Sequence, residues 1–93
     1  MGCLYIVDSP SSKQYIGITM RDAQMRWDEH VKASARPRTA IHRAIKKYGA
    51  STFTIRTLVI ADNWQYLCDL ERKAVSAFNT KGPFGYNMTA GGE

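Results

Sequence analysis

The spacing of hydrophobic and polar positions changes several times along the chain, and each change marks an element. Leu4-Tyr5-Ile6-Val7 and Gln14-Tyr15-Ile16-Gly17-Ile18 are strand-like, and Asp8-Ser9-Pro10-Ser11-Ser12 between them is a run of turn formers. These segments predict a β-hairpin. From about Met20 to Lys32 the spacing becomes helical, with Trp27 and Val31 four apart on one face. Thr19 with Asp22 three residues later has the form of a capping box and places the helix start there. Ser34 to Arg38, which contains Pro37, breaks this helix. A second helix is predicted from about Thr39 to Tyr48, with Ile41, Ala44, Ile45 and Tyr48 on one face and Gly49 as its stop. Phe53 to Ile60 alternates apolar residues with Thr54, Arg56 and Thr57 and reads as a third strand. Asp62 or Asn63 caps a third helix that runs to about Phe78. Thr80 to Asn87 carries turn signals, Met88 and Thr89 read as extended, and Ala90 to Glu93 as a frayed end. This order predicts an α+β domain, a small three-stranded, mostly antiparallel sheet flanked by three helices.

The third helix breaks its own pattern. Trp64, Leu67, Ala74 and Phe78 follow steps of three and four, and Glu71 occupies the same stripe. A carboxylate on an inward stripe is costly unless it is paired or holds a cation, and a Glu at the stripe edge that reaches solvent is the alternative. In the first helix Arg26 and His30 share a face, an arrangement that serves phosphate and proton transfer or simply forms the polar side of an amphipathic helix. Tyr5 and Tyr15 lie on the two hairpin strands, where near neighbours on one face are either functional or ordinary cross-strand packing.

Composition narrows the picture. The chain has 93 residues, which suits a single domain over residues 1–93. An apolar share of 44% and an aromatic share of 11% fit a globular protein. No apolar run approaches the ~20 residues of a membrane span, and the N-terminus lacks the features of a signal peptide. The expectation is a cytoplasmic protein. Cys3 and Cys68 have no metal-type spacing and read as two small buried hydrophobes. The net charge of +5 is concentrated. Arg21, Arg26, Lys32, Arg36, Arg38, Arg43, Lys46 and Lys47 face only Asp22, Asp28 and Glu29 between positions 21 and 47, and the rest of the chain is balanced. Such a segment is the usual footprint of a phosphate-backbone partner, with a solvated surface as the alternative.

Ordered blocks then combine into a larger pattern. Leu4-Tyr5 is followed by Tyr15-Ile16-Gly17, then by Thr19, Arg26-Trp27 and His30. Ala44-Ile45-Lys46-Lys47-Tyr48-Gly49 and Phe53 come next, then Leu70-Glu71. Asn79-Thr80 and Gly85-Tyr86-Asn87-Met88-Thr89-Ala90-Gly91-Gly92 close the series. Over essentially the whole chain these blocks resemble the GIY-YIG nucleases, most closely the phage or intron-encoded homing-type enzymes. The first tripeptide departs from the family form, reading Cys3-Leu4-Tyr5, and keeps the tyrosine.

The resemblance implies a metal-dependent DNA endonuclease that hydrolyses phosphodiester bonds. By that resemblance Glu71 would hold one Mg²⁺ or Mn²⁺, and Arg26 would neutralise charge growing on the phosphate. Tyr5 would serve as general base, with a relay through His30. Tyr15 would bond the phosphate or orient the attacking water, and Asn87 would position the metal-side groups or cap the site wall. Gly17 would let the backbone pass closely against the first helix. From charge alone, Arg36, Arg38, Arg43, Lys46 and Lys47 are candidate DNA contacts. The partner expected is DNA, with no membrane, in a phage or bacterial host cell, by a monomer or weak dimer. Homing-type relatives usually carry a separate DNA-binding region after the catalytic domain, and none is expected within this sequence. A non-catalytic nucleic-acid-binding module is the alternative.

Overall fold

The structure, a computed structural model, describes residues 1–88. The expected extended Thr89, the frayed end and the closing Gly-Gly of the sequence pattern lie outside the described residues.

Three strands, β1 (Gly2–Asp8), β2 (Gln14–Thr19) and β3 (Thr54–Ala61), form one antiparallel sheet in the order β2-β1-β3. Residues 2–7 of β1 are all buried, because a central strand is covered on both faces. Cys3, Tyr5 and Val7 face Trp27, Ile41, Ala44 and Ile45 on one side. Leu4 and Ile6 face Leu67, Ala74 and Val75 on the other. The sheet is thus sandwiched, with α1 (Ala23–Ala33) and α2 (Ala40–Tyr48) on the first face and α3 (Trp64–Phe78) on the second. Pairing of β1 with β3 matches Leu4 to Val59 and Tyr5 to Thr57, so Leu58 is skipped. A bulge of this kind bends the strand locally, here beside Tyr5.

The helix ends follow local chemistry. Thr39 caps α2 by accepting from the His42 amide, and Gly49 ends it at a φ of 85° that few side chains tolerate. Asn63 caps α3 by accepting from the Tyr66 amide at 2.9 Å. The expected start of α1 is corrected: its cap is Asp22, which accepts from the Gln24 amide. Thr19 instead ends β2, buried, and its hydroxyl accepts from the Arg21 amide at 3.1 Å. The strand therefore keeps Thr19, and the turn between them moves the first free helical amide three residues on. A single 3-10 turn over Ala50–Thr52, absent from the sequence reading, leads into β3.

The apolar stripe expected on α3 also needs correction. Leu67 and Ala74 are buried, but Trp64 and Phe78 are 45% and 44% exposed. The face that packs on the sheet is Leu67, Cys68, Ala74 and Val75. Cys3 and Cys68 are free and buried, and the Cys3 thiol points to the Arg21 carbonyl at 3.9 Å. The non-glycine residue of the first tripeptide has found room in the core.

Candidate active site

The site is assembled at β2, an edge strand. Tyr5 pairs with Gly17 across the hairpin, and Tyr15 pairs with Val7, so both tyrosines stand on the same face two residues apart in register. Their ring centroids lie 6.5 Å apart. A Cβ placed on Gly17 would meet the Tyr5 hydroxyl and its ring carbon at 2.3 Å. The phenol therefore lies across β2 where that strand has no side chain. Gly17 serves this close approach of Tyr5, which corrects the expected contact with the first helix.

Around the phenol opens a cleft of about 560 Å³. Tyr5, Tyr15, Arg26, His30, Glu71 and Asn87 all line it, so strands and helices from both faces meet at one place. Glu71 stands in the middle of the buried α3 face, within one turn of Leu67, Cys68, Ala74 and Val75. It is half-buried and opens on the cleft. Arg26 comes from α1, where Glu29 one turn on accepts from its Nη1 at 3.0 Å. Arg21 also bonds Glu29, and the two guanidinium groups hold that carboxyl below the usual range.

Burial pushes the Tyr5 phenol well above the ordinary tyrosine value. Tyr15 and the Glu71 charge push the same way, and Arg26 opposes them. His30 is buried edge-on against Tyr15, with centroids 5.6 Å apart. Burial first, then Arg26 and His42, press His30 down to about 4, so it is neutral at neutral pH.

Asn87 is tied to the strand edge. Its Oδ1 accepts from the Ile16 amide at 2.8 Å and from the Thr80 hydroxyl at 2.7 Å, while Nδ2 donates to the Ile16 carbonyl at 2.8 Å. The side chain behaves as one residue of a fourth strand, satisfying backbone groups that β2 would otherwise leave open. The loop behind it is closed tightly: Gly85 lies so near Thr80 that a Cβ would meet the Thr80 backbone at 2.3 Å.

The basic residues divide. Arg36 and Arg38, with Lys32, line a second groove of about 450 Å³, which shares Ala33 and His42 with the cleft. Arg43, Lys46 and Lys47 are exposed on α2 and do not reach the cleft. Sequence reasoning missed Glu29, His42, Trp64 and Tyr86 as cleft residues. Glu29 left a signal in its one-turn spacing from Arg26, Trp64 in its place on the Glu71 stripe and Tyr86 in the closing block beside Asn87. His42 is brought in by tertiary packing.

Among the described residues no three His, Cys, Asp or Glu side chains gather to cage a metal. Two half-buried carboxylates line the cleft, and Glu29 is engaged by Arg21 and Arg26. Glu71 on such a cleft fits a hard, largely hydrated cation, which takes one carboxylate and completes its shell with water and substrate oxygens. No helix among the described residues is long and apolar enough to cross a membrane.

The antiparallel α+β fold gathers phenols, a guanidinium, an imidazole and a carboxylate on one cleft, the layout of a small catalytic domain. The chain belongs to the GIY-YIG family: the family's catalytic-domain model matches residues 1–87. Among solved structures, a glutamate-to-alanine variant of the catalytic domain of the intron endonuclease I-TevI is similar at 21% identity and a TM-score of 0.81, covering 97% of this chain and 96% of that one. The catalytic domain of the homing endonuclease I-TevI is similar at 22% identity and a TM-score of 0.78, covering 96% and 99%. No curated protein sequence matches the chain.

Proposed function

We propose that this domain hydrolyses phosphodiester bonds of DNA with the assistance of one divalent cation held by Glu71, Mg²⁺ or Mn²⁺ by the hardness of its donor. The observation that carries this reading is the convergence of Glu71, two phenols, a guanidinium and an imidazole on one cleft from both faces of the sheet. A binding module would gain nothing from a carboxylate there, since an acid facing the phosphate backbone weakens association. A cation bound to Glu71 supplies Lewis-acid polarisation of the scissile phosphate.

The chain's own groups do the rest. Arg26 exchanges its Glu29 partner for the phosphate and stabilises charge that grows on the phosphoryl oxygens. Tyr5 acts on the attacking water as general base by relay: its hydroxyl takes the water's proton while passing its own to the neutral His30 ring. In the free protein its phenol keeps its proton, because burial, Tyr15 and Glu71 outweigh Arg26. Cancelling the Glu71 charge removes one of these opposing influences, which couples the carboxylate to the base. Tyr15 orients water or phosphate from the neighbouring strand position. Asn87 works as a positioning residue, because its amide is committed to β2 and Thr80. Arg36 and Arg38 hold the flanking backbone in the adjoining groove, and Arg43, Lys46 and Lys47 supply a more distant field. We read residues 1–93 as a single nuclease domain, acting inside the cell as a monomer or weak dimer.

Plasmid nicking with and without Mg²⁺ tests the proposal. Wild type is expected to nick only with the cation. Glu71→Ala and Arg26→Ala are expected to lose at least ~10²-fold in rate while still binding DNA, the scale seen when one charge-stabilising group is removed. A Glu71→Ala protein that nicks at the wild-type rate would refute the metal assignment.

A further inference from the structure

His42 belongs to none of the sequence blocks, yet it lines both the cleft and the adjoining basic groove. It stands on α2, while His30 stands on α1, and the two rings lie 5.3 Å apart. His30 Nδ1 and His42 Nε2 are 3.1 Å apart, a hydrogen bond between imidazoles. The outer nitrogens, His30 Nε2 and His42 Nδ1, are buried without a hydrogen-bond partner among the described residues. Buried polar atoms are rarely left this way, and a cleft-lining one is a place for a substrate group or water.

We infer that His42 is a positioning residue for the nuclease reaction: its Nε2 accepts from His30 Nδ1 and thereby fixes His30 in the tautomer whose Nε2 is a bare acceptor. This inference rests on the nuclease reading above. The choice of tautomer follows from the neighbours. The cleft already supplies donors near His30, the Tyr5 and Tyr15 hydroxyls and the Arg26 guanidinium, so an accepting nitrogen complements them. Each neutral ring carries one N–H. If the bridge takes the His30 proton, His30 Nε2 is bare and His42 Nδ1 carries the remaining proton. The arrangement parallels the way a third group orients a catalytic histidine. Trp27 and Tyr15 wall the ring on its other sides, with Trp27 6.3 Å away between centroids. The hydrogen bond to α2 therefore decides which nitrogen meets substrate.

The test joins nitrogen-15 NMR of the histidine rings with nicking kinetics. Wild-type His30 is expected as the Nδ1–H tautomer at pH 7, opposite to the form favoured by a free histidine side chain. His42→Leu removes the acceptor: His30 should revert toward the Nε2–H form, and kcat should fall about 10- to 100-fold with KM within a factor of two, the range for lost orienting partners. His42→Gln keeps an accepting oxygen at similar reach and should retain the Nδ1–H tautomer and most of the rate. A wild-type spectrum showing His30 protonated at Nε2 overturns the inference, and needs no variant to fold. So does a His42→Leu enzyme with wild-type kcat. If wild type fails to nick while His30 shows the Nδ1–H tautomer, the pairing stands and the nuclease reading is what falls.

Discussion

A methyl group at Gly17 would occupy the space now held by the Tyr5 hydroxyl, 2.3 Å from it. Neither partner can give easily, since Gly17 lies in a paired strand and the Tyr5 ring is fully buried. Gly17→Ala is therefore expected to displace the phenol, costing about 1–3 kcal/mol in stability from overpacking. A shift of ~1 Å in a reacting group costs about 10²-fold in rate. Thermal unfolding and nicking measured on the same preparation check both; an alanine enzyme within twofold of wild type would show that the phenol's present place is not needed. The sequence marked Gly17 as a residue of interest but assigned it the wrong neighbour. A glycine records that something passes close, and only the register of β1 against β2 says what does. His42 was less legible still, because its partner sits on another helix and no spacing rule links them.

On α3 the burial pattern separates residues that share one stripe in the sequence. Leu67 is fully buried between sheet and helix, whereas Phe78 lies nearly half in solvent at the last turn. Leu67→Ala should cost about 2–5 kcal/mol, as for a buried large-to-small change. Phe78→Ala should cost distinctly less, although both positions obey the same helical periodicity. Urea unfolding midpoints compare them directly, and equal losses would mean that the exposed end of α3 packs more tightly than described. Periodicity gives direction around a helix axis, so Glu71 was legible as a break in the stripe. It says nothing of where the sheet beneath the helix ends. That boundary leaves Trp64 and Phe78 uncovered and Glu71 at the cleft.

For the molecule as a whole, the excess of positive charge lies between positions 21 and 47, and folding sorts it into two surfaces. Arg36 and Arg38 line the groove that joins the cleft at Ala33 and His42, while Lys46 and Lys47 stand apart on α2. Neutralising Arg36 and Arg38 together should lower the dependence of log affinity on log salt by about 1–2, one per lost phosphate contact. The Lys46→Ala, Lys47→Ala pair should change it less. Titrations of duplex DNA over a salt series measure both, and the reverse ranking would place the duplex along α2 instead. The sequence by itself determined the α+β class, the positions of the three strands and three helices to within a few residues, the basic segment, and the oddity of an acid on an apolar stripe. These follow from contacts between residues near in the chain, where backbone periodicity is enough. Only the tertiary structure decided that β1 lies in the centre, that Tyr5 crosses β2 over Gly17, that Asn87 closes the strand edge, and that His30 meets His42. Those contacts join groups far apart in sequence. They are set by which faces pack together, and no local pattern carries that information.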